Sequence, residues 1–168
     1  RDRSPSRGLG DVYKRQSVHR DFDAMNLMVH DQRLFMIDFQ DAVAGPLSYD
    51  LISLLRGRYC RFSDEEFSDF VSAFYQQARR DGRLPSRVDF ATFLIQCHAM
   101  AAQRSLKVLG IFCRLTLRDQ KSGYLERLPH FLDHLEDSLS FLTEQTDFTE
   151  WVTLTFRPAL MKRLAEMT

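Results

Sequence analysis

Asp21 lies in the run His19-Arg20-Asp21-Phe22-Asp23-Ala24-Met25-Asn26, and Asp38 opens Asp38-Phe39-Gln40 twelve residues after Asn26. Two carboxylates and an amide in that order suit phosphoryl transfer to an alcohol. The attacking hydroxyl needs a carboxylate within hydrogen-bond reach to take its proton. The transferred phosphate needs oxygen ligands for Mg2+, which bridges the phosphates of ATP and offsets their charge. A loop holding Asp21 and Asn26 five residues apart can aim one at the acceptor and the other at the metal. Asp38 must then be returned to the same ion from the far side.

The intervening sequence is built to make that return. Leu27-Met28-Val29 and Leu34-Phe35-Met36-Ile37 are apolar runs on either side of His30-Asp31-Gln32-Arg33, a pattern that predicts a β-hairpin. Gly45-Pro46 breaks the chain, and Tyr49 to Leu55 opens a first helix. Everything beyond is helical. Ser63 and Glu66 form a capping box, and Phe67, Phe70, Val71, Phe74 and Ala78 follow at helical spacing as a buried stripe. Gly82 ends that helix and Pro85 separates it from the next. Phe90, Phe93, Leu94, Cys97 and Ala101 form a second stripe, continued by Val108, Ile111, Phe112 and Leu115 across Gly110. Another helix starts near Pro129, and a last one runs from about Glu150 to Met167 with Pro158 inside it. Trp151 and the Phe residues read as core. The fold class is mainly α (α+β), a helical bundle with a small β-hairpin carrying the catalytic loop.

Composition narrows the partners. With 168 residues, 44% apolar content and 14 Phe, the chain can bury one sizeable core. Its formal charge is zero, and residues 1–16 hold five Arg and Lys against two Asp. The mildly acidic remainder is a poor candidate for gripping a phosphate backbone, so no nucleic acid is expected. Nor is a membrane, since no run approaches the roughly 20 apolar residues that cross one. Cys60, Cys97 and Cys113 form no C-x-x-C pair and read as buried small side chains in a reducing, cytoplasmic setting. Residues 1–16 lack apolar periodicity and read as a disordered or artefactual leader, which leaves 17–168 as the folded unit.

His19–Asn26 matches the kinase catalytic-loop pattern H-R-D-x-x-x-x-N. Together with Ile37-Asp38-Phe39-Gln40-Asp41 and Gly45-Pro46-Leu47-Ser48-Tyr49-Asp50, it resembles the aminoglycoside phosphotransferase and choline kinase superfamily. Gln103 through Phe112 and Gly123-Tyr124-Leu125 are similar to bacterial anomeric cell-wall sugar kinases. Those enzymes use ATP to phosphorylate C1 of N-acetylmuramate and N-acetylglucosamine in peptidoglycan recycling. The resemblance implies a protein-kinase-like C-terminal lobe, with Asp21 as base, Asn26 and Asp38 as Mg2+ ligands, and Asp50 as a brace for the catalytic loop. His19 and Arg20 would shape that loop. No Gly-rich phosphate loop or ATP-pairing Lys precedes Val18, so the expected partner is a missing N-terminal lobe of the same chain, and the fragment is expected to be inactive alone. A lobe of this kind also leaves an apolar cleft surface.

The remaining candidates concern the acceptor. Asp23 reads either as a ligand for a sugar hydroxyl or as a solvated loop acid. Arg104 and Lys107 lie one helical turn apart, and facing the cleft they would hold an acidic amino sugar through its lactyl carboxylate. His130 and His134 have a zinc-chelating spacing but no H-E-x-x-H pattern, and read as a surface helix. An aminoglycoside or choline-type kinase, and a non-catalytic helical binding module, stay open as alternatives.

Overall fold

A computed structural model describes residues 16–167. Residues 1–15 of the expected leader lie outside it, while Gln16 opens the first strand. In chain order the elements are β1 (Gln16–Val18), a 3-10 turn (Ala24–Asn26), β2 (Leu27–His30), β3 (Arg33–Met36), β4 (Val43–Gly45) and the helix α1 (Ser48–Leu55). Then come α2 (Asp64–Arg80), α3 (Phe90–Leu117), α4 (Leu128–Leu139), α5 (Thr146–Trp151) and α6 (Arg157–Met167). The architecture is mainly α with a small antiparallel β part, as the sequence patterning implies.

The hairpin forms where the two apolar runs face each other. β2 and β3 pair from Leu27–Met36 to His30–Arg33, across a two-residue turn. Asp31 and Gln32 both take positive φ, 47° and 57°, the mirror-image turn whose twist matches the flanking strands. A second antiparallel pair, β1 with β4, joins Gln16 to Gly45 and Val18 to Val43. It fastens the chain on either side of the catalytic loop and hairpin. Gly45 is required there, because an added Cβ would lie 2.9 Å from the Val18 side chain.

Two clusters make the core. Ile52, Phe67, Val71, Phe93 and Cys97 join α1, α2 and the first half of α3. Leu109, Phe112, Phe131, Leu135 and Val152 join the second half of α3 to α4 and the C-terminal helices. α3 runs unbroken through Gly110, which faces open space. α2 begins with the full Ser63–Glu66 capping box. Ahead of Pro158, the last helical stretch widens into a π turn at Val152–Phe156. That bulge takes up the mismatch that proline introduces.

Several expected core residues lie at the surface. Phe39 is 64% exposed, and Phe35, Phe70, Phe141 and Trp151 are also exposed. Cys60 is exposed as well, whereas Cys97 is buried. The stripe on α2 is thus narrower than its spacing suggests, with Phe70 packing edge-on to Phe62 outside the core. Met28, Val29, Leu34, Phe35 and Met36 leave both faces of the hairpin apolar and uncovered among the described residues. Among those residues, no helix is long and apolar enough to cross a membrane.

Candidate active site

The catalytic loop leaves β1 and enters β2, and backbone hydrogen bonds fix its course. The Asp50 carboxylate, in the first turn of α1, accepts the N–H of His19 at 2.7 Å and of Arg20 at 3.1 Å. Arg20 stands at φ 75°, a conformation that needs such an anchor in a residue with a side chain. The buried His19 ring donates from Nε2 to the Ile37 carbonyl at 2.8 Å. That bond joins the first motif to the second.

Asn26 makes the other link. Its amide nitrogen donates to the Asp21 carbonyl at 2.8 Å, and its own carbonyl accepts the Ile37 N–H at 3.0 Å. Asp38 follows Ile37 at φ 64°, and one of its carboxylate oxygens accepts the Gln40 side-chain amide. Hydrogen bonds therefore link Asp21 to Asn26, and Asn26 to the backbone just ahead of Asp38. Gln40 as a partner of Asp38 went unread in the sequence.

The donor set suits Mg2+. With the amide nitrogen of Asn26 committed to Asp21, its side-chain oxygen remains for a hard cation, as does the second oxygen of Asp38. Among the described residues no three His, Cys, Asp or Glu side chains gather to hold an ion. Two oxygen ligands from the protein, completed by phosphate and water, is the usual arrangement for Mg2+ in phosphotransfer sites.

Asp21, Asp23, Arg58, Arg104, Lys107 and Tyr124 line one cavity of about 300 Å3. Its floor is apolar and comes from the middle of α3 with Phe131 of α4. Asn26 and Asp38 are not among its walls. Two of the cations of α3, half-buried Arg104 and exposed Lys107, converge on one ring. Both bracket Tyr49: the Arg104 guanidinium lies 5.5 Å from the ring centroid, and Lys107 Nζ donates to the hydroxyl at 3.2 Å. Asp23 is half of an ion pair with Arg58, Oδ2 to Nε 3.3 Å, while Oδ1 caps the 3-10 turn from the Met25 N–H. Arg58 was missed in the sequence, where nothing near it marks a site.

His130 and His134 do not form a surface pair, which corrects the sequence reading. His134 is fully buried, and both rings point Nε2 at the Gly57 carbonyl, 2.9 Å from His130 and 3.2 Å from His134. Burial, with the neighbouring His130 and the Arg56 cation, lowers His134 to about 4, so it is neutral. Below them, α4 carboxylates gather arginines from elsewhere. Asp137 binds Arg56 and Arg61, and Asp133 and Glu136 bind Arg157 of α6. These carboxylates hold Arg157 further above its already high value.

Known phosphotransferases resemble this chain in sequence. The phosphotransferase enzyme family model matches residues 11–90, which include the catalytic loop, Asp38 and Asp50. An N-acetylmuramate/N-acetylglucosamine kinase of Neisseria meningitidis is 45% identical over 118 residues, 70% of this chain and 35% of its own length. Kinases of the same name from Pseudomonas putida and Caulobacter vibrioides are 33% and 32% identical, over 80% and 79% of this chain. Those stretches are 40% and 36% of their lengths, so the chain spans little more than a third of the relatives it matches. The chain is thus similar to the phosphotransferase enzyme family across residues 11–90 and to these kinases over most of its sequence.

Proposed function

We propose that this chain is the catalytic and acceptor-binding lobe of an ATP-dependent kinase that phosphorylates the anomeric hydroxyl of N-acetylmuramate or N-acetylglucosamine in cytoplasmic cell-wall recycling. It would work within a longer protein whose other part grips ATP, and residues 17–168 alone would turn over little. The observation that carries the proposal is the shared cavity. Asp21 stands in one wall and the Arg104–Lys107 pair in another, while Asn26 and Asp38 are tied to Asp21 outside it.

Asp21 takes the proton of the sugar hydroxyl as that oxygen attacks the terminal phosphorus of ATP in line. The bond from that phosphorus to the bridging oxygen of ADP breaks, and the product is the sugar 1-phosphate. When bound, Mg2+ supplies charge neutralisation on the phosphates. Asn26 and Asp38 present the oxygens that would hold it. Arg104 and Lys107 attract an acidic acceptor and repel cationic ones, which favours an amino sugar with a carboxylate over an aminoglycoside or choline.

The test is a panel of acceptors offered with ATP to the full-length protein, followed by 31P NMR. An anomeric phosphate on the amino sugars is the expected product. Phosphorylation of an aminoglycoside or choline alone would contradict the proposal.

A further inference from the structure

Arg58 is absent from every motif, yet it lines the same cavity as Asp21 and pairs with Asp23. It follows Gly57, which lies just past the end of α1 with its Cα packed close on the helix. A Cβ there would come within 3.0 Å of the Ser53 carbonyl oxygen. The Gly57 carbonyl is then held by two imidazoles from α4, His130 and His134, four residues apart on one face. A carbonyl only accepts, so both rings must carry a proton on Nε2. The outcome is a backbone turn gripped from both sides, with Arg58 projecting from it toward Asp23. Arg58 Nε lies 3.3 Å from Asp23 Oδ2, and Nη1 lies 4.0 Å from the Met25 sulfur. Asp23 in turn caps the turn that carries Asn26.

We propose that Arg58 is a positioning residue for the catalytic loop, placed by the His130–His134 grip on Gly57 and acting through Asp23 on the Ala24–Asn26 turn. The inference deepens the kinase reading and rests on it for its kinetic consequence, though not for its structural one. Both Asp23 oxygens are engaged by the protein, which holds this side chain to the loop. The pair is more than an ordinary surface bridge. The Asp23 side chain is only 11% exposed, and the turn it caps sets where Asn26 lies relative to Asp21.

The experiment has two readouts on the full-length protein: amide hydrogen exchange at Met25 and Asn26, and steady-state kinetics with both amino sugars. Arg58→Ala and Asp23→Ala should each speed exchange at the two amides about tenfold. Each should also lower kcat about tenfold, with KM for N-acetylglucosamine within about twofold, since small misplacements near the reacting atoms act on rate. The double variant should be no worse than either single one, because the two residues act as a unit. His130→Ala should speed the same amides, and His130→Gln, whose amide can still reach the carbonyl, should restore them.

Unchanged exchange in Arg58→Ala overturns the inference. So does a rise in KM for N-acetylmuramate alone with kcat kept, which would make Arg58 a contact for the substrate carboxylate. If the unaltered protein phosphorylates neither sugar, the kinase reading fails, and the exchange rates still decide the role of Arg58.

Discussion

Asp50 holds Arg20 in a left-handed backbone conformation, its Oδ1 accepting the Arg20 N–H at 3.1 Å with φ at 75°. The next residue is Asp21. The other oxygen of the same carboxylate takes the His19 N–H, so the start of α1 dictates where the catalytic loop turns. A left-handed non-glycine residue costs on the order of 1–3 kcal/mol, and this carboxylate offsets that cost.

Asp50→Ala leaves two N–H groups without their acceptor and should destabilise the fold by about 2 kcal/mol or more. Asp50→Asn keeps one acceptor oxygen and should fall between. Urea unfolding midpoints rank the three proteins. An alanine variant as stable as the original would deny Asp50 its bracing role.

Two glycines make an opposed pair. Gly57→Ala presses a methyl against the Ser53 and Leu54 carbonyl oxygens at 3.0 and 3.3 Å, backbone atoms that cannot swing away. A loss of about 1–3 kcal/mol follows. Gly110→Ala meets nothing within 4 Å on an exposed face of α3 and should gain about 0.5–1 kcal/mol from helix propensity. Thermal unfolding of both variants checks the signs. Equal effects at the two sites would contradict the packing described for Gly57.

Stability should fall on acidification through the histidine range. Burial, aided by the Arg56 cation, lowers His98 from 6.5 to about 4, and His134 is lowered equally far. Unfolding releases both to ordinary values, so between those limits the unfolded chain binds more protons. The stabilisation is complete above about pH 6.5 and drains away as pH drops toward 4. Urea midpoints across that range should decline, and His98→Gln should flatten the decline. A midpoint indifferent to pH over this window would contradict the buried, neutral state of both rings.

Local patterns were legible in the sequence, and long-range ones were not. The Ser63–Glu66 box and the Leu27–Met36 hairpin are written within a few residues of themselves, and both appear as read. The β1–β4 pair joins three-residue strands far apart in the chain, too short to leave a periodic trace. Arg58 meets its partner Asp23 across 35 residues of sequence, a pairing that no local pattern records. His130 and His134 fit a polar helix face by spacing alone. That this face meets a carbonyl rather than water is decided by the packing of α4 against the end of α1. Phe39 and Trp151 remain exposed because apolar character permits burial without compelling it.

Arg104 offers a test of acceptor choice. Arg104→Ala should raise KM for N-acetylmuramate about tenfold, the scale of one charge-assisted hydrogen bond, and leave N-acetylglucosamine nearly unaffected. Tyr49→Phe removes the hydroxyl that Lys107 meets but keeps the ring under both cations, so its effect should be smaller. Equal losses on both sugars would show that this pair does not read the carboxylate.

The proton acceptor carries the whole proposal, and Asp21→Asn in the full-length protein tests it most directly by single-turnover quench of bound ATP and sugar. Asparagine keeps the shape and cannot take the proton, so the rate of sugar phosphate formation should fall about a hundredfold or more while ATP binding persists. Phosphorylation at the original rate would contradict the assignment of Asp21 as the base.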